Sequence, residues 1–157
     1  KTAYEMIGCD WSSDVCSSYL ASDLAAELSG LDTFVTLSPI PGLTKWLKQK
    51  GLTWDTENPE EMRATAARYL LTAKRKGGLP YDPVARFHLG NGAIVHAVHA
   101  DADTSDKGRA QSGGTMVNYL YDLGKTTQNH EHFAVTQEVV AAAEVQTLAA
   151  TAASAQA

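Results

Sequence analysis

Apolar residues divide the chain into short strand-like runs and longer stretches of helical spacing. Residues 33–37 and 115–121 are rich in β-branched and aromatic residues, and residues 93–100 show an alternating pattern, which together predicts three strands. Apolar residues recur at helical spacing over residues 59–76, after the capping residue Asn58 and before a Gly-Gly pair. Strands separated by helices predict an α/β or α+β fold.

Further helices are predicted on weaker patterns. Two further segments, residues 44–50 and 84–89, are each followed by a glycine. Pro83 stands directly before the second segment. Residues 101–108 indicate a polar turn or a short helix. The chain after Val135 is rich in alanine, which predicts a helix that frays after Leu148.

Composition narrows the class of partner. The 157 residues are 44% hydrophobic and 20% charged, which is typical of one globular domain. The formal net charge is -5 and no basic stripe is present, so nucleic acid and anionic membranes are poor partners. No apolar run approaches the roughly 18 residues of a membrane span. A homo-oligomer is left open.

The first twenty residues have an unusual explanation. Residues 9–20 (CDWSSDVCSSYL) resemble the translation of a common sequencing adapter and differ from it at Tyr19. We therefore expect residues 1–20 to be non-native, which removes Cys9 and Cys16 from consideration as chemical groups. The expected division is 1–20 as this segment, 21–148 as a partial catalytic domain, and 149–157 as an alanine-rich tail.

Several residues are candidates for chemistry. Ser38 precedes a Pro-x-Pro turn at the end of a predicted strand, where α/β proteins place ligands. His88 lies between Phe87 and Leu89, although a histidine in such a setting is more often a core or capping residue. A zinc site is a weak alternative, because His96 and His99 are expected on opposite faces of a strand. His130 and His132 are expected in a polar loop.

Blocks of sequence between about residues 31 and 123 resemble the malonyl-CoA decarboxylase family. They read TFVTLSPIPGLTKWL, ARYLL, DPVARFHLGNGA, ADTSDKG and QSGGTMVNYLYDL, in that order. The resemblance implies the C-terminal portion of a GNAT-like acyl-CoA fold, with a mixed sheet flanked by helices. It also implies that Ser38 and His88 are the catalytic pair and that Tyr121 lies at the active site, where it contacts the substrate. Asn91 and Asn118 are candidate substrate contacts, although asparagines equally often bond backbone turns.

The implied reaction converts malonyl-CoA to acetyl-CoA and carbon dioxide, in fatty acid or malonate metabolism. Decarboxylation leaves an enolate on the thioester, which needs hydrogen-bond donors and then a proton. Histidine suits the proton transfer, and a serine hydroxyl suits the malonyl carboxylate. The resemblance implies no metal and no organic cofactor, since coenzyme A arrives with the substrate. The expected location is the cytoplasm.

Two alternatives stay open at the level of sequence. One alternative to a malonyl-CoA decarboxylase is another GNAT-like acyl-CoA acyltransferase, and the other is a non-enzymatic α/β fragment. In the family, a loop and a helix before the SPIPG block bind the coenzyme A pyrophosphate, and only about residues 21–28 stand in that place. The helical domain that precedes the catalytic domain in the family is not part of this sequence. Activity of the chain itself is therefore an open question.

Overall fold

The computed structural model describes residues 23–28 and 30–155, so the adapter-like segment 1–20 lies outside the described residues. Residues 23–27 are helical. The named elements that follow are β1 (Thr33–Pro39), α1 (Leu43–Lys50), α2 (Pro59–Thr72), α3 (Pro83–Gly90), β2 (Ile94–His99), α4 (Asp106–Ser112), β3 (Met116–Asp122), α5 (Thr126–Thr136) and α6 (Ala143–Ala155). The predicted α/β class is confirmed.

The three strands form a sheet in the order β1-β3-β2, with both pairings antiparallel. The last strand in the chain is therefore the central one. The parallel component of the predicted mixed sheet is confined to a bridge between Val95 and Ala141 at the edge of β2. Two backbone hydrogen bonds of 2.9–3.0 Å hold that bridge.

Alternation along the strands separates an inner face from an outer face. On β1 and β3 the inner-face pairs are Phe34 with Tyr121, Thr36 with Tyr119, and Ser38 with Val117. Val35 and Leu37 point to the outer face and are exposed. The helices pack on the inner face, where α2 lies along α6 and both contact β2. The core therefore lies between the inner face and these helices.

Two helix starts follow the capping chemistry of the sequence. Asn58 Oδ1 accepts hydrogen bonds from the backbone N–H groups of Glu60 and Glu61 at 3.2 and 3.3 Å. At α3, Asp82 Oδ1 accepts from Val84 and Ala85 at 2.9 and 3.1 Å. In each case proline occupies the first helical position, which needs no N–H donor.

The end of α2 differs from the prediction. The helix ends at Thr72 and does not continue to residue 76, because Ala73 adopts an extended conformation. Backbone hydrogen bonds from Tyr81 to Ala73 and from Arg75 to Leu79, both 2.8 Å, close a short hairpin instead. The basic run at residues 74–76 therefore lies in this hairpin and not in the last turn of a helix.

The C-terminal part also differs from the prediction. Residues 126–136 form α5, so the expected polar loop around His130 and His132 is wrong. The next helix begins at Ala143, not near Val135, and continues to Ala155, so the predicted fraying after Leu148 is wrong as well. Within the described residues, no helix is long and apolar enough to cross a bilayer.

Burial of α6 beyond Leu148 generates a stability prediction. Ala149 is buried in the core cluster, whereas Ala153 on the same helix is exposed. We expect Ala149→Glu to lower the free energy of unfolding by roughly 2 kcal/mol or more, because it places an unpaired carboxylate against apolar groups. Urea denaturation followed by circular dichroism measures the change.

The matched control is Ala153→Glu, which adds the same charge to the exposed side of α6 and should alter stability by less than about 0.5 kcal/mol. Equal effects of the two variants would contradict the packing of this turn into the core.

Candidate active site

Strand β1 carries Ser38 into the interior of the fold. The strand was predicted to end before Ser38, but it continues through Pro39, which pairs in register with Met116. Proline is tolerated there because β1 is an edge strand. Alternation turns the Ser38 side chain to the inner face, where it is only 5% exposed.

Helix α3 places His88 directly over this serine. His88 Nε2 lies 3.1 Å from Ser38 Oγ, and His88 Nδ1 lies 2.7 Å from Tyr121 Oη. His88 and Tyr121 are 4% and 2% exposed. The structure therefore brings together three of the predicted site residues, from β1, α3 and β3.

Aromatic contacts fix the plane of the His88 ring. Tyr119 stacks on the imidazole with a centroid distance of 4.3 Å and an interplanar angle of 19°. Phe87 meets the ring edge-on at 5.1 Å. These contacts leave the imidazole little freedom to rotate away from Ser38 and Tyr121.

Burial keeps the histidine neutral. Desolvation lowers the pKa of His88 from 6.5 to about 4. In one tautomer Nε2 accepts from the Ser38 hydroxyl while Nδ1–H donates to Tyr121; in the other the roles are reversed. Either tautomer satisfies both ring nitrogens, so the group can exchange a proton with Ser38 without a rearrangement of its neighbours.

Two residues of the site, Thr36 and Tyr119, were not assigned to it from the sequence. Thr36 Oγ1 lies 3.1 Å from Ser38 Oγ, and its position two residues earlier on the same strand face was the available signal. Tyr119 is fully buried, and its Oη has no hydrogen-bond partner among the described residues. Burial raises the pKa of Tyr119 far above the ordinary range, so it acts as an uncharged platform under His88.

The two candidate asparagines are engaged elsewhere. Asn91 is the C-cap of α3, and its Nδ2 donates to the Phe87 carbonyl at 2.9 Å. Asn118 alternates to the outer face of β3, where it donates to the Thr36 carbonyl at 2.7 Å and contacts His99. The structure does not bring Asn118 beside Ser38 and His88. The side-chain amides of Asn91 and Asn118 each donate to a backbone carbonyl instead.

The remaining histidines do not converge. The prediction that His96 and His99 lie on opposite faces is wrong, because an irregularity between Val95 and Ala97 adds a residue and leaves both histidines exposed. His130 and His132 lie on α5. In the part of the chain that the structure describes, no group of three or more His, Cys, Asp or Glu residues is arranged to hold a metal ion.

The chain is similar to known proteins in both sequence and structure. A family model described as the malonyl-CoA decarboxylase C-terminal domain matches residues 18–62 and 54–157. The chain belongs to the malonyl-CoA decarboxylase family. The malonyl-CoA decarboxylase structure from Rhodopseudomonas palustris superposes with a TM-score of 0.77 at 34% identity, over 94% of this chain and 40% of that one.

Other relatives agree with this membership. The structure from Cupriavidus metallidurans gives a TM-score of 0.69 at 35% identity and covers 83% of this chain and 42% of that one. The mitochondrial malonyl-CoA decarboxylase of Rattus norvegicus is 30% identical over 176 residues, which cover 83% of this chain and 36% of the rat protein. The chain therefore spans less than half the length of these family members.

The neutral His88 generates a pH prediction. Between pH 6.5 and about 4, His88 is mostly protonated in the unfolded chain and mostly neutral in the folded chain. The stability contributed by this residue is therefore complete above pH 6.5 and is lost as the pH falls toward 4, by up to about 3 kcal/mol. Urea unfolding at pH 7 and pH 4.5 measures the loss.

His88→Gln provides the reference, because it lacks the titrating ring and should lose less stability over the same interval. The comparison also removes the opposite contribution of Asp82, whose pKa is raised by burial and whose protonation favours the folded state as the pH falls. An identical loss in the parent and in His88→Gln would show that His88 is not held neutral.

Proposed function

We propose that the chain supplies the catalytic pair of an enzyme that decarboxylates malonyl-CoA to acetyl-CoA and carbon dioxide. The observation that supports this most directly is the buried hydrogen bond of 3.1 Å between Ser38 Oγ and His88 Nε2. The family membership supports the substrate, because all the relatives named above are malonyl-CoA decarboxylases. That agreement favours decarboxylation over acyl transfer to another acceptor.

The chemistry requires two services from the protein. When the bond to the carboxylate carbon breaks, its electron pair moves into the thioester as an enolate, which hydrogen-bond donors stabilise. The enolate carbon must then take up a proton from a positioned group. We assign the Ser38 hydroxyl to binding and orienting the malonyl group, and His88 to the proton transfer.

Substrate binding would adjust His88 for this task. The isolated site holds the imidazole neutral, with a pKa of about 4. A malonyl carboxylate or an enolate in hydrogen-bond range places a negative charge beside the ring, which raises the pKa of His88. Protonation of His88 would thus be coupled to the arrival of the anionic group that needs it.

Tyr121 acquires a different role from the one expected. The sequence resemblance suggested a substrate contact, and that suggestion stays a prediction. Its Oη lies 2.7 Å from His88 Nδ1, on the side of the ring away from Ser38. We therefore assign Tyr121 to positioning, because its hydrogen bond holds the orientation of the imidazole.

The proposal calls for no metal and no organic cofactor, with coenzyme A entering as part of the substrate. Unchanged turnover after dialysis against a chelator is the expected result. A cytoplasmic location stays a prediction from the sequence; the name of the rat relative places that protein in mitochondria.

The catalytic assignment is tested in a chimera in which this chain replaces the matching part of the Rhodopseudomonas palustris relative. We expect the chimera to convert malonyl-CoA to acetyl-CoA in a coupled assay. Ser38→Ala and His88→Asn should each lower kcat/KM by about a hundredfold or more, since each removes a group that touches the reacting atoms.

Ser112→Ala and His96→Asn are matched controls. Ser112 is a second buried serine, which bonds the backbone of the α4–β3 connection, and His96 is exposed. Both control variants should keep turnover within about threefold of the parent. Parental turnover in Ser38→Ala or His88→Asn would remove that residue from the mechanism.

Tyr121→Phe should lower kcat by about tenfold and leave the fold intact, because it removes one buried hydrogen bond to the catalytic imidazole. Tyr81→Phe is the control, since the Tyr81 hydroxyl bonds Gln49 at an exposed position. Equal kcat values for the two variants would contradict a positioning role for Tyr121.

A further inference from the structure

We propose that Asp82 is a positioning residue that ties the chain segment after Ser38 to the helix that carries His88. The inference rests on the decarboxylation proposed above for its catalytic consequence, but its structural content is independent of that reaction. The described hydrogen bonds of Asp82 reach neither Ser38 nor His88, and Asp82 stands six residues before His88 in the sequence.

The two carboxylate oxygens of Asp82 serve different elements. Oδ1 caps α3 through the Val84 and Ala85 N–H groups. Oδ2 accepts from the Gly42 N–H at 3.2 Å and from the Tyr69 hydroxyl at 3.1 Å. One buried side chain, only 1% exposed, thus joins α3 to α2 and to the turn that follows β1.

Gly42 makes this junction sterically feasible. A Cβ at position 42 would overlap the Tyr69 hydroxyl oxygen and crowd the Asp82 carboxylate. The turn between β1 and α1 can therefore approach Asp82 only with glycine at this point. Since Gly42 is four residues after Ser38, the Oδ2 contact limits how far the end of β1 can move relative to α3.

Helix capping alone does not explain this residue. Serine or asparagine caps a helix as well as aspartate does, without placing a charged group in the interior. Burial raises the pKa of Asp82, which shows that the site opposes the charge, although four hydrogen-bond donors offset part of that cost. An aspartate supplies what the alternatives lack, namely a second acceptor oxygen for the contacts between elements.

Asp82→Asn separates the two functions of the carboxylate, which are the cap on α3 and the contacts to Gly42 and Tyr69. The amide oxygen can keep the cap on α3, while the amide nitrogen cannot accept from the Gly42 N–H. Tyr69→Phe is the milder variant, because it removes one of the two Oδ2 contacts and keeps the aromatic ring. Asn58→Ala is the matched control, since it removes the cap from α2 without any contact to Gly42 or Asp82.

Two readouts are needed. In the 157-residue chain, the ¹⁵N shifts of the His88 ring nitrogens report its hydrogen bonds and tautomer without any need for turnover. In the chimera, kcat and KM for malonyl-CoA are measured. We expect Asp82→Asn to change the His88 shifts and to lower kcat by about tenfold or more, with KM within about twofold. Tyr69→Phe should change the His88 shifts and kcat in the same direction as Asp82→Asn does, but to a smaller extent.

Asn58→Ala should lower the melting temperature and leave the His88 shifts and kcat unchanged. The proposal is overturned if Asp82→Asn behaves in the same way as Asn58→Ala. If Asp82→Asn does not fold, parental His88 shifts in Tyr69→Phe overturn it instead. A parent chimera that does not decarboxylate malonyl-CoA refutes the proposed function, and the His88 shifts then still decide the role of Asp82.

Discussion

A buried imidazole destabilises the fold unless its ring nitrogens have hydrogen-bond partners, and His88 meets this constraint through Ser38 and Tyr121. The two partners come from different strands, so the constraint fixes how these strands and α3 are arranged. A shift of one residue in the pairing of β1 with β3 would turn one of the partners to the outer face. The hydrogen bonds of Ser38 and Tyr121 to His88 therefore require the observed register of β1 on β3, and they help to stabilise that register.

The strand order gives this arrangement its rigidity. β3 is central, and its inner face supplies both the Tyr121 hydroxyl and the Tyr119 platform. Among the described residues β1 lies at the edge of the sheet and pairs with β3 alone, so its end is the part of the site with least support from the sheet. The Asp82 contact to Gly42 reaches the chain just beyond that end. The Asp82 side chain thus holds the chain in place just after the backbone hydrogen bonds of β1 end.

Much of the fold could be predicted from the sequence. Strands β1 and β3 are rich in β-branched and aromatic residues, and Asn58 and Asp82 are residue types that cap helices. The SPIPG and FHLGNGA blocks single out Ser38 and His88 in the sequence itself. Helix α5 was missed because its sequence is polar and buries only Phe133, so tertiary contacts decide its conformation rather than an apolar stripe. The Tyr119 stack and the Asp82 junction were missed for a different reason. Both join residues far apart in the chain, and no local pattern encodes such contacts.

Those long separations have a kinetic consequence. The hydrogen bonds at the site join residues 50 and 33 positions apart, and the Asp82 contact to Gly42 spans 40. Contacts of such high sequence separation form only after large loops have closed, and the loss of chain entropy must precede any gain. No single hairpin or helix pair contains Ser38, His88 and Tyr121 together. Recovery of the His88 hydrogen bonds during refolding would therefore mark the docking of α3 on paired β1 and β3, and a partly folded chain would contain the site residues without their mutual alignment.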